Sequence, residues 1–204
     1  FHFQFTIMEE KRTLTIPEVL SEGIKIGVTN IASLLLAVVL YVLTVWIPYL
    51  NVGTTIAMST IPLRLSEGKV ISPTFIFDAK YRQYMGEYFT LQGLMLMSLI
   101  PAFSFLFVPG IIISIGWSLA LYIMLDRGIA PGEALVQSNK ATYGHKWTIF
   151  AINVILSVAI STIVSLLAVI PKVGVVLMLL ACIASIPFVL GCQAVIFKKL
   201  AKIA

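Results

Sequence analysis

The chain is 204 residues long, 59% of them hydrophobic and 11% charged, with a formal net charge of +5 and a mean hydropathy of +1.02. A soluble domain carries roughly 25% charged residues, so this chain lacks the polar surface to cover itself in water. Its basic excess stands in short blocks between apolar runs of spanning length, which reads as membrane topology and contact with lipid headgroups and speaks against a nucleic-acid partner.

The first eight residues, Phe1 to Met8, alternate apolar and polar side chains before Glu9-Glu10-Lys11-Arg12. They lack the basic start, long apolar stretch and small-residue cleavage site of a signal peptide, and read as a non-native leader before Met8 or a short interfacial strand. Six apolar segments follow, at about 24–48, 51–65, 88–107, 109–125, 147–170 and 173–197. A helix needs about 20 residues to cross a 30 Å hydrocarbon core, so the first, third, fifth and sixth are comfortable spans and the other two are short. The fourth can cross with Asp126 and Arg127 at the interface. The second contains Thr54, Thr55, Ser59, Thr60 and Pro62, and is expected as a short span shielded by its neighbours, with a re-entrant segment as the alternative.

Charge position orients these spans. Thirteen of the fourteen Lys and Arg residues lie in the N-terminal segment, the 64–87 and 126–146 connections or the C-terminal tail, and only Lys172 lies on the other side. All nine acidic residues share the first side. The positive-inside rule therefore predicts a multi-pass protein of the cell (inner, cytoplasmic) membrane with both termini in the cytoplasm. Trp46 and Tyr49 fall at the expected outer boundary, Tyr143 and Trp147 at the inner one, and Trp117 near the middle of the fourth span, where its indole should face protein.

The chain also repeats. Pro17, Pro73 and Pro131 are 56 and 58 residues apart and open moderately charged stretches, while the outer-turn residues Pro48, Pro109 and Pro171 repeat at 61 and 62. Proline suits a helix start because its missing N–H has no intrahelical partner there. The expected fold is all-α, a polytopic membrane bundle of six transmembrane helices arranged as three hairpins, each preceded by an amphipathic cytoplasmic-side helix. It forms one integral membrane domain over 1–204, with pseudo-repeats at about 15–66, 72–127 and 130–199.

Chemistry is sparse. No ionisable residue stands in the middle of a predicted span, where a charge costs at least about 2.5–3.5 kcal/mol and so tends to mark a proton or ion path. There is no HExxH, GxSxG or Walker loop and no metal-ligand spacing of His and Cys, so no enzyme, catalytic residue, metal or cofactor is expected. Cys182 and Cys192 lie in one helical stretch, roughly 15 Å apart at 1.5 Å per residue, and are expected as free thiols. Two polar stripes recur at helical spacing: Asn153, Ser157, Ser161 and Ser165 on the fifth span, and Gly110, Ser114 and Ser118 on the fourth. Small hydroxylated faces let helices approach and hydrogen-bond, and the sharper reading is a pore lining. Lys80, Arg82, Lys140, His145 and Lys146 are the candidate headgroup or partner contacts at the cytoplasmic elbows.

Within 108–150, the features Pro109-Gly110, Glu133-Ala134-Leu135, Ser138, Gly144 and Trp147 resemble a recurrent block. It is similar to the membrane domain of membrane-anchored glycerophosphoryl diester phosphodiesterases and of related six-span prokaryotic membrane proteins. The resemblance implies a six-helix membrane module and does not imply hydrolysis, because in that family the chemistry belongs to a separate soluble domain. Glu133, Ser138, Gly144 and Trp147 then fall at a helix elbow with a capping or docking role. The functional expectation is a non-enzymatic membrane module acting by homo-oligomerisation or by binding a membrane-protein partner, with a permeation path as one form of it. The alternative is a protein that binds or translocates membrane lipids.

Overall fold

The computed structural model describes residues 13–68, 70–105, 107–170 and 173–201. The readings on Phe1–Met8, Pro171 and Lys172 lie outside the described residues. Among these residues every regular element is helical. In chain order they are α1 (Ile16–Thr44), α2 (Leu50–Ser59), α3 (Ile61–Leu65), a 3-10 turn (Pro73–Phe77), α4 (Lys80–Gln83), α5 (Met85–Phe105), α6 (Phe107–Gly116), α7 (Ala120–Arg127), α8 (Pro131–Thr142), α9 (Lys146–Ala168) and α10 (Gly174–Leu200). Five stretches are long and apolar enough to cross a membrane: α1, α5, the α6–α7 stretch Phe107–Arg127, α9 and α10. The chain is therefore a helical protein of membrane type with several spanning-length helices.

Local sequence explains the helix ends. Pro17 sits in the first turn of α1, where the Thr15 hydroxyl donates to the Glu18 carboxylate at 3.2 Å. Gly128, at φ +62°, ends α7 in the left-handed conformation that a side chain disfavours, and its N–H returns to the Met124 carbonyl. Pro131 opens α8 with Glu133 in its first turn, and Gly144 at φ +80° makes the corner into α9.

Only the third of the expected amphipathic elbows is a separate α-helix, α8. In the first copy, the amphipathic stretch and the span are one continuous helix of 29 residues, because nothing between Pro17 and Thr44 breaks it. In the second, Pro73 and Asp78 confine the stretch to a 3-10 turn and the four-residue α4.

The most intimate packing joins the two ends of the chain. Gly23 and Gly27 of α1, a GxxxG pair, lie against Pro187, Gly191 and Cys192 of α10, so close that a Cβ on Gly23 would meet the Cys192 Cα at 2.8 Å. The helices run antiparallel, and Glu18 pairs with Lys199. Val19, Leu119, Ile123, Ile149, Ile152, Val195 and Phe197 build the main core beside this seam. Consecutive helices also pack in pairs: α1 on α2, α5 on α6, and α9 on α10.

The 51–65 segment breaks at Thr60 into α2 and α3 and is largely enclosed, with Gly53, Thr54, Ile56, Ala57, Thr60, Ile61, Pro62, Leu63 and Leu65 all buried. Its hydroxyls answer the problem of polar groups in a dry interior. Thr54, Ser59, Thr60 and Ser66 each donate to a carbonyl one turn back, and the Tyr41 and Thr55 hydroxyls meet at 3.2 Å. By contrast α9 beyond Ile152 and the first half of α10 are largely uncovered.

Candidate functional site

Three gatherings of polar groups among the described residues bear on function. The first is the break in the fourth apolar stretch, where α6 stops at Gly116 and α7 starts at Ala120. Such a break frees backbone groups that a membrane protein must satisfy internally. The buried Ser138 of α8 does this twice: its hydroxyl donates to the Gly116 carbonyl at 2.7 Å and accepts the Leu119 N–H at 3.2 Å. Thr142 adds a longer contact to the same carbonyl at 3.3 Å. Asn139 closes over Gly116, where a Cβ would come within 2.7 Å of its side-chain oxygen, and accepts a hydrogen bond from the Lys146 ammonium at 2.8 Å.

A chain of hydrogen bonds runs from the other end of α8. Glu133 accepts from Gln137 at 2.9 Å, Gln137 accepts from Arg127 at 2.6 Å, and Arg127 donates at 2.7 Å to the carbonyl of Ala201, the residue that caps α10. A cation at a helix C-terminus meets carbonyls that have no partner within the helix. The elbow residues thus divide. Ser138 docks α8, Glu133 holds the Gln137 side chain that meets Arg127, Gly144 makes the corner, and Trp147 is exposed, as is Tyr143. His145, half-buried, is the residue at which α9 starts. Gln137 was not singled out in the sequence, and Arg127 was read only as an interface residue at the end of the fourth span; the signal for its capping role was a cation directly before the helix-ending Gly128.

The second place is α9. Asn153 accepts a hydrogen bond from Gln193 of α10 at 3.2 Å. Ser157, Ser161 and Ser165 are exposed on the uncovered part of the helix, with the Ser161 hydroxyl turned back to the Val158 carbonyl. The companion stripe lies elsewhere. Gly110 is buried against the Phe103 ring, and Ser114 and Ser118 are half-buried with their hydroxyls on carbonyls of their own helix. The Thr-rich 51–65 segment is enclosed, so the three polar faces do not line one common space within the chain. Trp117 does face protein, packing beside Leu91, Ala120 and Met124.

The third place is a cleft of about 200 Å³ between α3, α4 and the end of α7. Arg64 and Lys80 bring cations to it, Glu67 and Asp126 carboxylates, and Tyr81 and Tyr84 rings. The Arg64 Nε donates to the Tyr81 hydroxyl at 3.2 Å, and its guanidinium lies 3.6 Å from Glu67. Lys80 pairs with Asp78 at 2.6 Å, and that ammonium holds the Asp78 carboxyl below its ordinary range. Arg82 points away, over the Tyr49 ring at 5.7 Å and against Gly53. Lys140 is exposed on α8. Of the five candidate headgroup contacts, Lys80 and Arg82 thus face different surroundings.

Among the described residues no group of three or more His, Cys, Asp or Glu could hold a metal ion. Cys182 and Cys192 are free thiols. No family model matches the chain, and neither a curated protein nor a solved structure does so. The resemblance of 108–150 to the phosphodiesterase membrane domain therefore stands on its quoted residues alone.

Proposed function

We propose that the chain is a non-enzymatic integral membrane module, crossing the inner membrane of a prokaryotic cell six times with both termini in the cytoplasm, and that it acts by associating with a second copy of itself through α9. One observation carries this reading: Ser157, Ser161 and Ser165 repeat every fourth residue on a part of α9 that no described residue covers. In lipid a hydroxyl can bond only back to its own helix, as Ser161 does to the Val158 carbonyl, whereas a facing helix offers close backbone approach and interhelical hydrogen bonds. A permeation path on this reading lies between copies, because the hydroxyl-rich α2–α3 segment is enclosed within each one.

Native mass spectrometry of the protein released from nanodiscs, paired with dye release from liposomes, tests it. The wild type is expected to be oligomeric and the Ser157→Leu/Ser161→Leu double variant monomeric with unchanged helix content. Dye release lost together with the oligomer supports a pore, and an oligomer without release supports a scaffold. A monomeric wild type sinks the proposal.

A further inference from the structure

The cleft beside Arg64 plays no part in association through α9, and its chemistry is unusual for the charged end of a membrane protein. Four charged side chains line it, two cations and two carboxylates, so it presents no net charge of the kind that collects anionic lipid. Each cation keeps donors to spare. Arg64 spends its Nε on Tyr81 and meets Glu67 only at 3.6 Å, and Lys80 has three N–H groups, of which Asp78 takes one side. Across the cleft, Asp126 is exposed and pairs with no cation among the described residues. A planar guanidinium with free N–H groups suits a phosphate, and an unpaired carboxylate opposite it suits an ammonium that can donate.

At about 200 Å³ the cleft is smaller than the roughly 300–1,000 Å³ that enclose a drug-sized ligand, so it admits a small head with the rest of the molecule outside. Leu63 and Leu125 form its apolar wall. We propose that this cleft binds a phosphoethanolamine group, phosphate toward Arg64 and Lys80 and primary ammonium toward Asp126, carried on a membrane lipid or on a soluble ester. The inference is independent of the proposed α9 association and survives its failure.

The test uses the full chain in phosphatidylcholine nanodiscs doped equally with phosphatidylethanolamine and phosphatidylglycerol, with retained lipid counted by native mass spectrometry. In parallel, glycerophosphoethanolamine is titrated into undoped nanodiscs. Retained phosphatidylethanolamine in excess over phosphatidylglycerol is expected, reduced roughly tenfold by Asp126→Asn or Arg64→Gln, each removing one charge-assisted contact. Lys25→Gln, on the exposed face of α1, should leave retention unchanged. Binding of the soluble ester without lipid enrichment assigns the same site to a free ligand. Neither enrichment nor soluble binding, or enrichment indifferent to both cleft substitutions, overturns the proposal.

Discussion

Ser138 meets two backbone groups that no helix partner reaches, the Gly116 carbonyl and the Leu119 N–H. Its hydroxyl is both donor and acceptor, so Ser138→Ala strands both groups, and Thr142 at 3.3 Å relieves only the carbonyl. An unsatisfied buried group costs about 1–3 kcal/mol, and that is the destabilisation expected in denaturant titration of the detergent-solubilised protein. Ser157→Ala, on the exposed face of α9, should stay within about 0.5 kcal/mol of wild type. Equal stability of the two variants would mean that Ser138 does not staple the break. The importance of this serine was legible in the sequence only as part of a resembling block. The break it repairs was not, because 109–125 reads as an unbroken apolar run, and the residues that interrupt the helix, Trp117, Ser118 and Leu119, are not helix breakers.

For the elements, the decisive contact is the crossing of α1 and α10. The sequence pattern singled out neither Gly23 nor Gly27, and their partners lie 160 residues or more away, where no local pattern names them. A Cβ at Gly27 would approach the Pro187 carbonyl oxygen at 2.8 Å, and the Gly191 Cα faces the Gly23 carbonyl directly. The obstacle in each case is backbone, which cannot swing aside as a side chain can. Gly191→Ala should therefore cost about 1–3 kcal/mol by overpacking, read in the same denaturant titration. Gly132→Ala, with nothing within 4 Å of the added methyl, serves as the comparison. A Gly191→Ala protein as stable as wild type would show that the seam has slack. Spanning-length helices were readable from hydropathy because lipid demands them, whereas elbows were not: proline spacing predicted three amphipathic helices, but it marks where a helix starts and not where it stops, so the stretch after Pro17 runs on into the span, the one after Pro73 is cut short, and only the one after Pro131 stands apart.

The number of crossings is a property of the whole chain, and the contacts constrain it by parity. Glu18 at the start of α1 pairs with Lys199 at the end of α10, and Arg127 at the end of α7 reaches Ala201. Tyr84, just before α5, shares a cleft with Asp126. The starts of α1 and α5 are thereby tied to one end of the bundle, so an even number of crossings separates them. Zero would require α1 to lie along the interface, which its 29 residues and its exposed Leu36, Val39, Val42 and Leu43 argue against. Two require the α2–α3 segment to cross within 16 residues, about 24 Å at 1.5 Å each, and a core of about 30 Å accommodates that only by thinning locally. The close approach of Arg82 to Tyr49 and Gly53 weighs the other way, because it sets the turn before α2, which the charge pattern places outside, beside the charged connection. Trp46 stands fully out on that turn, 85% exposed. In a Cys182→Ser/Cys192→Ser background, Trp46→Cys should react with a membrane-impermeant maleimide added to intact cells, and Glu133→Cys only after permeabilisation. Reaction of Trp46→Cys only after permeabilisation would place both ends of α1 on the cytoplasmic side, reduce the crossings to four and leave α2–α3 as a segment that never reaches the far face.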